Sequence, residues 1–179
     1  MNSTLPVKGR AILPLSIRGI CSAVGSVKMR YRPHKNSLMT TDAEVDFNSG
    51  MTAFEAREFV RAMHFLLPFA EQGVAEAQHR VAIMEQNGLG KVKNEFQAYK
   101  WMKAGAEQGH ALAQHGLGFM YMQGDCVAKD SETAVYWFTQ AAEQGLAGSQ
   151  TTLAMMYEKG DGVEKDLDAA KKWYREAGY

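Results

Sequence analysis

Histidine and acidic side chains are the first candidates for chemistry in this sequence. His79 and His115 lie 36 residues apart, and this spacing recurs along the chain. If they stand on adjacent helices, whose axes pack about 8–10 Å apart, the two imidazoles could share a metal ion. A zinc site needs three or four ligands, and no third ligand is evident. We therefore expect no metal site and no cofactor.

The recurring motifs also lack the pattern of a catalytic site. The segment GLGKVKN, which starts at Gly88, is rich in glycine and lysine but lacks the G-x-x-x-x-G-K-[ST] order of a phosphate-binding loop. Glu71, Glu107 and Glu143 recur at the 36-residue spacing, whereas catalysis requires one asymmetric group of residues. We expect no enzymatic activity and identify no catalytic residue.

Charge is divided unevenly between the first 38 residues and the rest of the chain. Residues 1–38 contain seven lysines or arginines and no acid, whereas residues 39–179 contain 13 basic and 20 acidic residues, a net charge of −7. An acidic body disfavours binding to a phosphate backbone, so we expect no nucleic-acid partner. The longest uncharged run, residues 108–124, is too polar for a membrane span.

Residues 1–38 are interpreted as a basic leader that is disordered or reflects a mis-assigned start. The stretch AILPLSIRGICSAVGS resembles the apolar region of a secretory signal peptide, but Arg18 interrupts it and no clear cleavage site follows. Cys21 and Cys126 are the only cysteines and indicate no disulfide framework. The cytoplasm is the expected compartment, and the periplasm or secretion is the alternative if the leader is a signal.

The 36-residue spacing is that of an internal repeat. The stretches FAEQGVAEAQ, GAEQGHALAQ and AAEQGLAGSQ keep this spacing, and so do Trp101, Trp137 and Trp173. We call residues that are 36 apart equivalent positions. Such a period is typical of helical hairpins that bury their apolar faces against their neighbours. The predicted boundaries are a solenoid over 39–179, with a degenerate first hairpin at 39–73 and repeats at 74–109, 110–145 and 146–179.

Each repeat is predicted to contain two helices. The first ends at Gly88, Gly124 or Gly160, because glycine accepts the left-handed conformation that terminates a helix. The residues expected to cap the second helix are Asn94, Asp130 and Asp166. The glutamines expected to hydrogen-bond to loop backbone between hairpins, since a buried amide needs partners, are Gln78, Gln114 and Gln150.

These motifs resemble the Sel-one-like repeat (SLR) family, which is related to tetratricopeptide repeats. The matching elements are the AEQG-x-A-x-AQ joint, the stretches LGFMYMQGD and LAMMYEKGDGVEKD, and A-x-x-W in the second helix. The resemblance implies an all-α fold, a right-handed α-solenoid of stacked hairpins, and an adaptor role. Two residues depart from the pattern: Glu85 stands at the position of Tyr121, and Lys91 at that of Val127.

The first helix of each repeat has two faces. At about 100° per residue, positions that are similar in all repeats fall on one side, and positions that differ fall on the other. We expect the first side to pack against neighbouring helices and the second to line a concave surface, as the resemblance implies. The residues predicted to bind a partner there are Glu76, His79, Arg80, Ile83, Leu112, His115, Phe119, Met122, Thr151 and Met155.

Ile83, Phe119 and Met155 occupy equivalent positions and are predicted to form an apolar ridge on that surface. Methionine and phenylalanine suit an adaptable contact surface, which favours a groove for a peptide or a partner helix. The alternative is that these side chains pack against adjoining first helices. A further possibility is that the basic leader folds back onto the acidic solenoid.

The leading hypothesis is therefore a non-enzymatic adaptor or scaffold with a protein or peptide partner. One alternative is a small-ligand-binding or β-lactam-hydrolysing protein, by resemblance to relatives with paired cysteines in each repeat. Cys126 has no counterpart in the other repeats, so that subgroup is not supported. Another alternative is self-assembly, as a homodimer for example, through the C-terminal edge. The residues expected to be partly unpaired there are Leu153, Met156, Trp173 and Tyr174.

Overall fold

The computed structural model describes residues 41–179, and the predicted leader lies outside the described residues. The described chain contains eight α-helices and no strand. Each helix packs mainly against its neighbours in sequence, which makes the architecture an all-α solenoid. No described helix is long and apolar enough to cross a membrane. The helices are α1 Thr41–Glu55, α2 Phe59–Glu71, α3 Ala75–Asn87, α4 Glu95–Glu107, α5 Ala111–Gln123, α6 Ser131–Glu143, α7 Ala147–Lys159 and α8 Leu167–Glu176.

The predicted stop signals end the first helices. Gly88 has a left-handed backbone, with φ of 65°, and its N–H donates to the carbonyl oxygen of Met84. Gly124 and Gly160 end α5 and α7 in the same conformation, with φ of 76° and 75°. A residue with a Cβ would be strained there. The glycine therefore specifies where each first helix ends.

The predicted start signals of the second helices are also confirmed. The side chain of Asn94 accepts a hydrogen bond from the N–H of Gln97 in the first turn of α4. Asp130 accepts from Thr133 at the start of α6, and Asp166 caps α8. Each cap satisfies a backbone donor that has no partner within the helix. These helices therefore begin at fixed residues in every repeat.

A row of buried glutamines links each hairpin to the next. Gln78 Nε2 donates to the carbonyl oxygen of Ala70 at 3.1 Å, and Gln78 Oε1 accepts from Gln108 Nε2 at 2.7 Å. The equivalent bonds join Gln114 to Ala106 and Gln144, and Gln150 to Ala142. The sequence analysis predicted that the accepting carbonyls lie in the loop. They lie instead in the last turn of the second helix. The glutamine of the joint thus fixes how consecutive hairpins meet.

Burial separates the two faces of α3 as its periodicity predicts. The positions that are similar in all repeats are buried, and on the variable side every residue except His79 is at least partly exposed. The buried residues of this face are Ala77, Gln78, Val81, Ala82, Met84 and Glu85. The solenoid core is therefore built from the repeated positions, and the variable positions are left to form a surface.

The two departures from the repeat pattern compensate for each other. Glu85 is 2% exposed, and its Oε1 lies 2.7 Å from Lys91 Nζ in the loop after α3. A buried carboxylate without a counter-charge would be strongly destabilising. Lysine at the loop position therefore accompanies glutamate at the position where the next repeat has Tyr121.

Candidate partner-binding surface

The ten residues predicted to bind a partner all lie on the first helices α3, α5 and α7, and we call them the first-helix surface. Their exposure is not uniform. Leu112 and Met155 are 40% and 38% exposed, His79 is 6% exposed, and the other seven are half-buried. The surface therefore differs between its α3 end and its α7 end.

At the α3 end, Glu76, His79 and His110 form what we call the histidine–glutamate cluster. Glu76 and His79 lie one turn apart on α3, and His110 is the N-cap residue of α5. His110 Nδ1 accepts a hydrogen bond from the N–H of Ala113 at 3.1 Å. The imidazole proton is therefore on Nε2, which donates to Glu76 Oε2 at 2.6 Å. One hydrogen-bonded chain thus joins α3 to α5.

Arg80 holds the other side of the Glu76 carboxylate. Its Nε donates to Glu76 Oε1 at 2.9 Å, and its guanidinium lies 4.9 Å from the ring centroid of Phe54 in α1. Burial would raise the pKa of Glu76, but the hydrogen bond from His110 and the positive charge of Arg80 outweigh it and lower the pKa. The carboxylate is therefore ionised at neutral pH.

His79 is buried, so the prediction that it is exposed on the variable side of α3 is wrong. Its ring centroid lies 5.1 Å from that of His110, and its Nδ1 is buried without a hydrogen-bond partner. Burial, together with the neighbouring His110 and Arg80, lowers the pKa of His79 to about 4. The imidazole is therefore neutral at pH 7. The N-cap residue of the next first helix approaches this position, which helical periodicity within α3 does not reveal.

At the α7 end, aromatic contacts replace this polar chain. The ring centroids of Phe119 and Phe138 lie 5.1 Å apart edge to face, and the His115 ring lies 4.8 Å from that of Phe119. His115 Nδ1 lies 2.8 Å from Ser149 Oγ, within hydrogen-bond distance. Burial lowers the pKa of His115, so this imidazole is also neutral at pH 7. The histidine belongs to an aromatic cluster rather than to an ionic one.

A cavity of about 160 Å³ lies between α5 and α7 beside these rings, and we call it the α5–α7 cavity. Its walls include Phe119 and Met155, which belong to the predicted apolar ridge. Lys159 and Asp161 add one charge of each sign. The full set of lining residues is Phe119, Met122, Thr152, Met155, Met156, Lys159 and Asp161. The cavity can therefore take an apolar side chain with a polar group beside it.

The predicted apolar ridge is most exposed at its α7 end, at Met155. Ile83 is half-buried against the core of the first hairpins, and Phe119 and Met122 are half-buried against the core around α6 and α7. Met155 is 38% exposed. Ile83 packs inward, as the alternative interpretation describes. Phe119 and Met155 border a hollow, as a groove would require.

The C-terminal edge is less open than the sequence suggested. Leu153 and Met156 are 0% and 3% exposed, because α7 buries them in the core that includes Phe138. Neither residue is free to contact another molecule. Trp173 and Tyr174 are half-buried on α8. Self-association through this edge remains a prediction, and only these two of the four residues named for it are accessible.

Sequence reasoning missed His110, Ser149 and Lys159. His110 is 31 residues from His79 in the sequence, and only the stacking of repeats brings the two rings together. A signal was nevertheless present, since the equivalent positions of His110 are the apolar Val74 and Leu146. A polar residue at an otherwise apolar position marks a contact that the other repeats do not make.

Comparisons with known proteins agree with this fold. The Sel1 repeat model matches residues 75–110, 111–146 and 147–179. A solved Sel1 repeat protein from Oxalobacter formigenes is 32% identical, with a TM-score of 0.70, and the match covers 74% of this chain and 53% of that one. No curated protein gives a significant match.

Two further solved structures are similar. A protective antigen of uropathogenic Escherichia coli strains, which displays an SLR fold, is 34% identical with a TM-score of 0.70. The match covers 75% of this chain and 30% of that one. Helicobacter pylori cysteine rich protein B is 18% identical with a TM-score of 0.54, over 67% of this chain and 86% of that one, and shows the fold alone.

The chain thus spans about half of the first of these relatives and about a third of the second. Sel1 repeat proteins generally mediate protein–protein interactions, and the fold is typically a non-catalytic scaffold. The glycine stops, the glutamine row and the three matched repeats all agree. The chain therefore belongs to the Sel1 repeat family.

Proposed function

We propose that this chain is an adaptor that binds a short segment of a partner protein at the α7 end of the first-helix surface. The observation that carries the proposal is the α5–α7 cavity, in which the exposed Met155 and the half-buried Phe119 border about 160 Å³ of space. A volume of this size accommodates one bulky apolar side chain of a partner. Methionine side chains can adjust to its shape.

The two ends of the surface are not equally suited to docking. At the α3 end, Glu76 and His110 are bonded to each other, Arg80 is bonded to Glu76, and His79 is buried. A partner that bound there would have to replace these bonds. At the α7 end, most of the cavity wall is apolar and need only be desolvated, which is favourable. Docking therefore centres on α5 and α7.

Charge favours a basic partner segment. Residues 39–179 carry a net charge of −7, and a net negative charge attracts basic segments and speeds their association. We therefore propose a segment with one bulky apolar residue flanked by lysine or arginine. Lys159 and Asp161 line the cavity. Asp161 would attract a basic residue of the segment and Lys159 would repel one, so the basic residue should lie on the Asp161 side of the apolar residue.

Selection of short peptides from a random displayed library tests this proposal. We expect the selected peptides to combine a bulky apolar residue with basic neighbours. Met155→Glu should weaken their binding by about tenfold or more, because burial of one apolar side chain contributes about 1.5–3 kcal/mol. Met155 is 38% exposed, so this variant should fold, as circular dichroism would verify.

The matched control is Phe96→Glu, which also places a charge at an exposed apolar residue. Phe96 is 72% exposed on α4, outside the first-helix surface, so peptide affinity should not change. The proposal fails if no peptide is enriched, or if both variants bind the selected peptides as wild type does.

We also propose that the chain acts by binding rather than by catalysis. Burial raises the pKa of the Cys126 thiol to about 11, so this side chain is not an activated nucleophile. The purified protein should hydrolyse a chromogenic β-lactam no faster than buffer does. Hydrolysis that is lost in a Cys126→Ser variant would contradict this part of the proposal.

A further inference from the structure

The histidine–glutamate cluster has the composition of a transition-metal site. Glu76, His79 and His110 each place one potential ligand atom within 4.8 Å of the other two. Two imidazole nitrogens and a carboxylate oxygen suit Zn²⁺ and neighbouring divalent ions. Zinc bonds of about 2.0–2.1 Å place ligand atoms about 3.3 Å apart, so small side-chain rotations would close the site.

An independent observation indicates that the cluster lacks a partner. Nδ1 of His79 is buried with no hydrogen-bond partner, and the residue is 6% exposed. Buried polar atoms are nearly always paired, and each exception needs an explanation. The neutral imidazole nitrogen of His79 has the lone pair that a metal ion requires, and a bound ion would satisfy it.

We propose that the histidine–glutamate cluster binds one divalent transition-metal ion, Zn²⁺ in the first instance, between the first two Sel1 repeats. The proposed ligands are Glu76 Oε2, Nδ1 of His79 and Nε2 of His110. Water completes the coordination, as in other zinc sites with three protein ligands. This inference is independent of peptide docking, because it uses the opposite end of the first-helix surface.

Binding requires a change of tautomer at His110. The ion takes the Nε2 lone pair, so the proton that Nε2 now donates to Glu76 moves to Nδ1, and the imidazole remains neutral. The N–H of Ala113 then loses its acceptor, Nδ1 of His110, and the imidazole must turn so that the new Nδ1–H does not face this N–H. This loss is tolerable, because α3 and α7 begin at Val74 and Leu146 without any side-chain cap.

The next repeat provides a built-in comparison. At the positions equivalent to Glu76, His79 and His110, the α5–α7 junction has Leu112, His115 and Leu146. Among the described residues, the Sel1 repeats therefore form this cluster once, between α3 and α5. The substitutions Glu76→Leu and His110→Leu insert residues that the solenoid already accepts at these positions, so both variants should fold.

Calorimetric titration of the full chain without an affinity tag, first stripped of metal and then supplied with ZnCl₂, tests the site. We expect one Zn²⁺ per chain in wild type. His110→Leu and Glu76→Leu should each lower the affinity by at least about 100-fold, since even changes beyond the ligands reduce metal affinity by about 10–100-fold. The matched control His115→Thr removes another half-buried histidine and should leave the affinity unchanged.

A spectroscopic measurement decides the proposal even if a variant fails to fold. Long-range ¹H–¹⁵N spectra of wild type should show His110 protonated on Nε2 without metal and on Nδ1 with Zn²⁺, while the ring nitrogens of His79 shift. The proposal is overturned if these resonances do not move when Zn²⁺ is added in excess over the protein. It is also overturned if His115→Thr weakens binding as much as His110→Leu does.

Discussion

The junction between α3 and α5 and the junction between α5 and α7 place different chemistry on one backbone. His110 and Leu146 cap the later helix of each junction with nearly the same conformation, φ and ψ of −71° and 111° against −73° and 102°. The first junction carries an ionic chain and a buried histidine. The second carries an aromatic cluster and a cavity. The two junctions thus share the same N-cap conformation but carry different side chains.

This contrast shows how a repeat protein can hold two sites without changing its frame. The glutamine row and the glycine stops recur at both junctions and keep the helices in register. The junctions differ mainly at variable positions, and also at His110 and Met102, whose equivalents are Leu146 and Phe138. Substitutions at variable positions should therefore exchange properties between junctions, whereas substitutions in the frame should harm both.

The first prediction concerns Phe138, the buried aromatic residue beneath the α5–α7 junction. Phe138 is 0% exposed and contacts both Phe119 and His115. Phe138→Ala should lower the free energy of unfolding by about 3–5 kcal/mol, because it leaves a void under the surface. Urea unfolding followed by circular dichroism measures this change.

The equivalent residue in the first junction supplies the control for that prediction. Met102 occupies the position equivalent to Phe138 and is 2% exposed. Phe138→Met should therefore cost less than about 1.5 kcal/mol, as for other swaps of similar volume. If Phe138→Met were as harmful as Phe138→Ala, the two junctions would not share one frame.

The second prediction transfers the proposed metal site from one junction to the other. The triple variant Leu112→Glu, Leu146→His and Ser149→Ala gives the α5–α7 junction the residues found at the equivalent α3–α5 positions. His115 is already in place. We expect two Zn²⁺ per chain instead of one. At free Zn²⁺ of about 100 times the dissociation constant, the added ion should stabilise the fold by about 2.7 kcal/mol.

The control for the transfer omits one ligand. The double variant Leu112→Glu and Ser149→Ala lacks the second histidine and should bind one Zn²⁺, as wild type is expected to. Equilibrium dialysis with metal analysis gives the number of ions bound. One ion in the triple variant would mean that features beyond these equivalent positions are needed.

The third prediction concerns the frame itself. Gln78→Leu and Gln114→Leu each remove the amide that bonds to the preceding helix and accepts from the next glutamine. Each should lower the free energy of unfolding by about 1–3 kcal/mol, because partner groups are left unsatisfied. The two losses should be nearly equal. A large difference in urea unfolding would show that the junctions differ in more than their variable positions.

The smallest expected effect concerns the loop after α5. Cys126 stands at the position where the other loops have Gly90 and Gly162, and its φ is 64°. Burial, followed by the charges of Asp125 and Glu95, raises the pKa of its thiol to about 11. Because the thiolate is the reactive form, native alkylation should be slow at pH 8 and accelerate about tenfold per pH unit towards pH 11.

Iodoacetamide kinetics in a Cys21→Ser variant isolate the Cys126 thiol, since the chain has two cysteines. In urea, the same thiol should follow a profile about two pH units lower, because unfolding removes the burial. Identical profiles in the native and unfolded states would contradict the raised pKa.

Local signals in the sequence predicted the helices and their ends. Gly88 and Asn94 act within one turn of themselves, through a left-handed backbone and a side-chain cap, so no distant residue is needed to interpret them. The face of α3 that would be buried also follows from spacing within a single helix. The ion pair between Glu85 and Lys91 was not predicted, because the sequence shows each residue only as a departure from the repeat pattern.

The candidate sites could be predicted only in part. The ten surface residues were placed on the correct helices, but their individual exposure depends on neighbours from other repeats. His79 is buried beside His110, a residue from the next helix. The α5–α7 cavity depends on the distance between two helices that are separated in the chain by all of α6. Helical periodicity carries no information about such gaps.

Residue spacing and local signals specify the period, the helix ends within the three repeats and the division of each first helix into a core side and a variable side. These features follow from interactions between residues a few positions apart. Packing between repeats brings Glu76, His79 and His110 together and leaves a hollow beside Met155. These contacts are invisible to local signals because stacking joins side chains more than 30 residues apart in the sequence, and their distances depend on how closely whole helices approach.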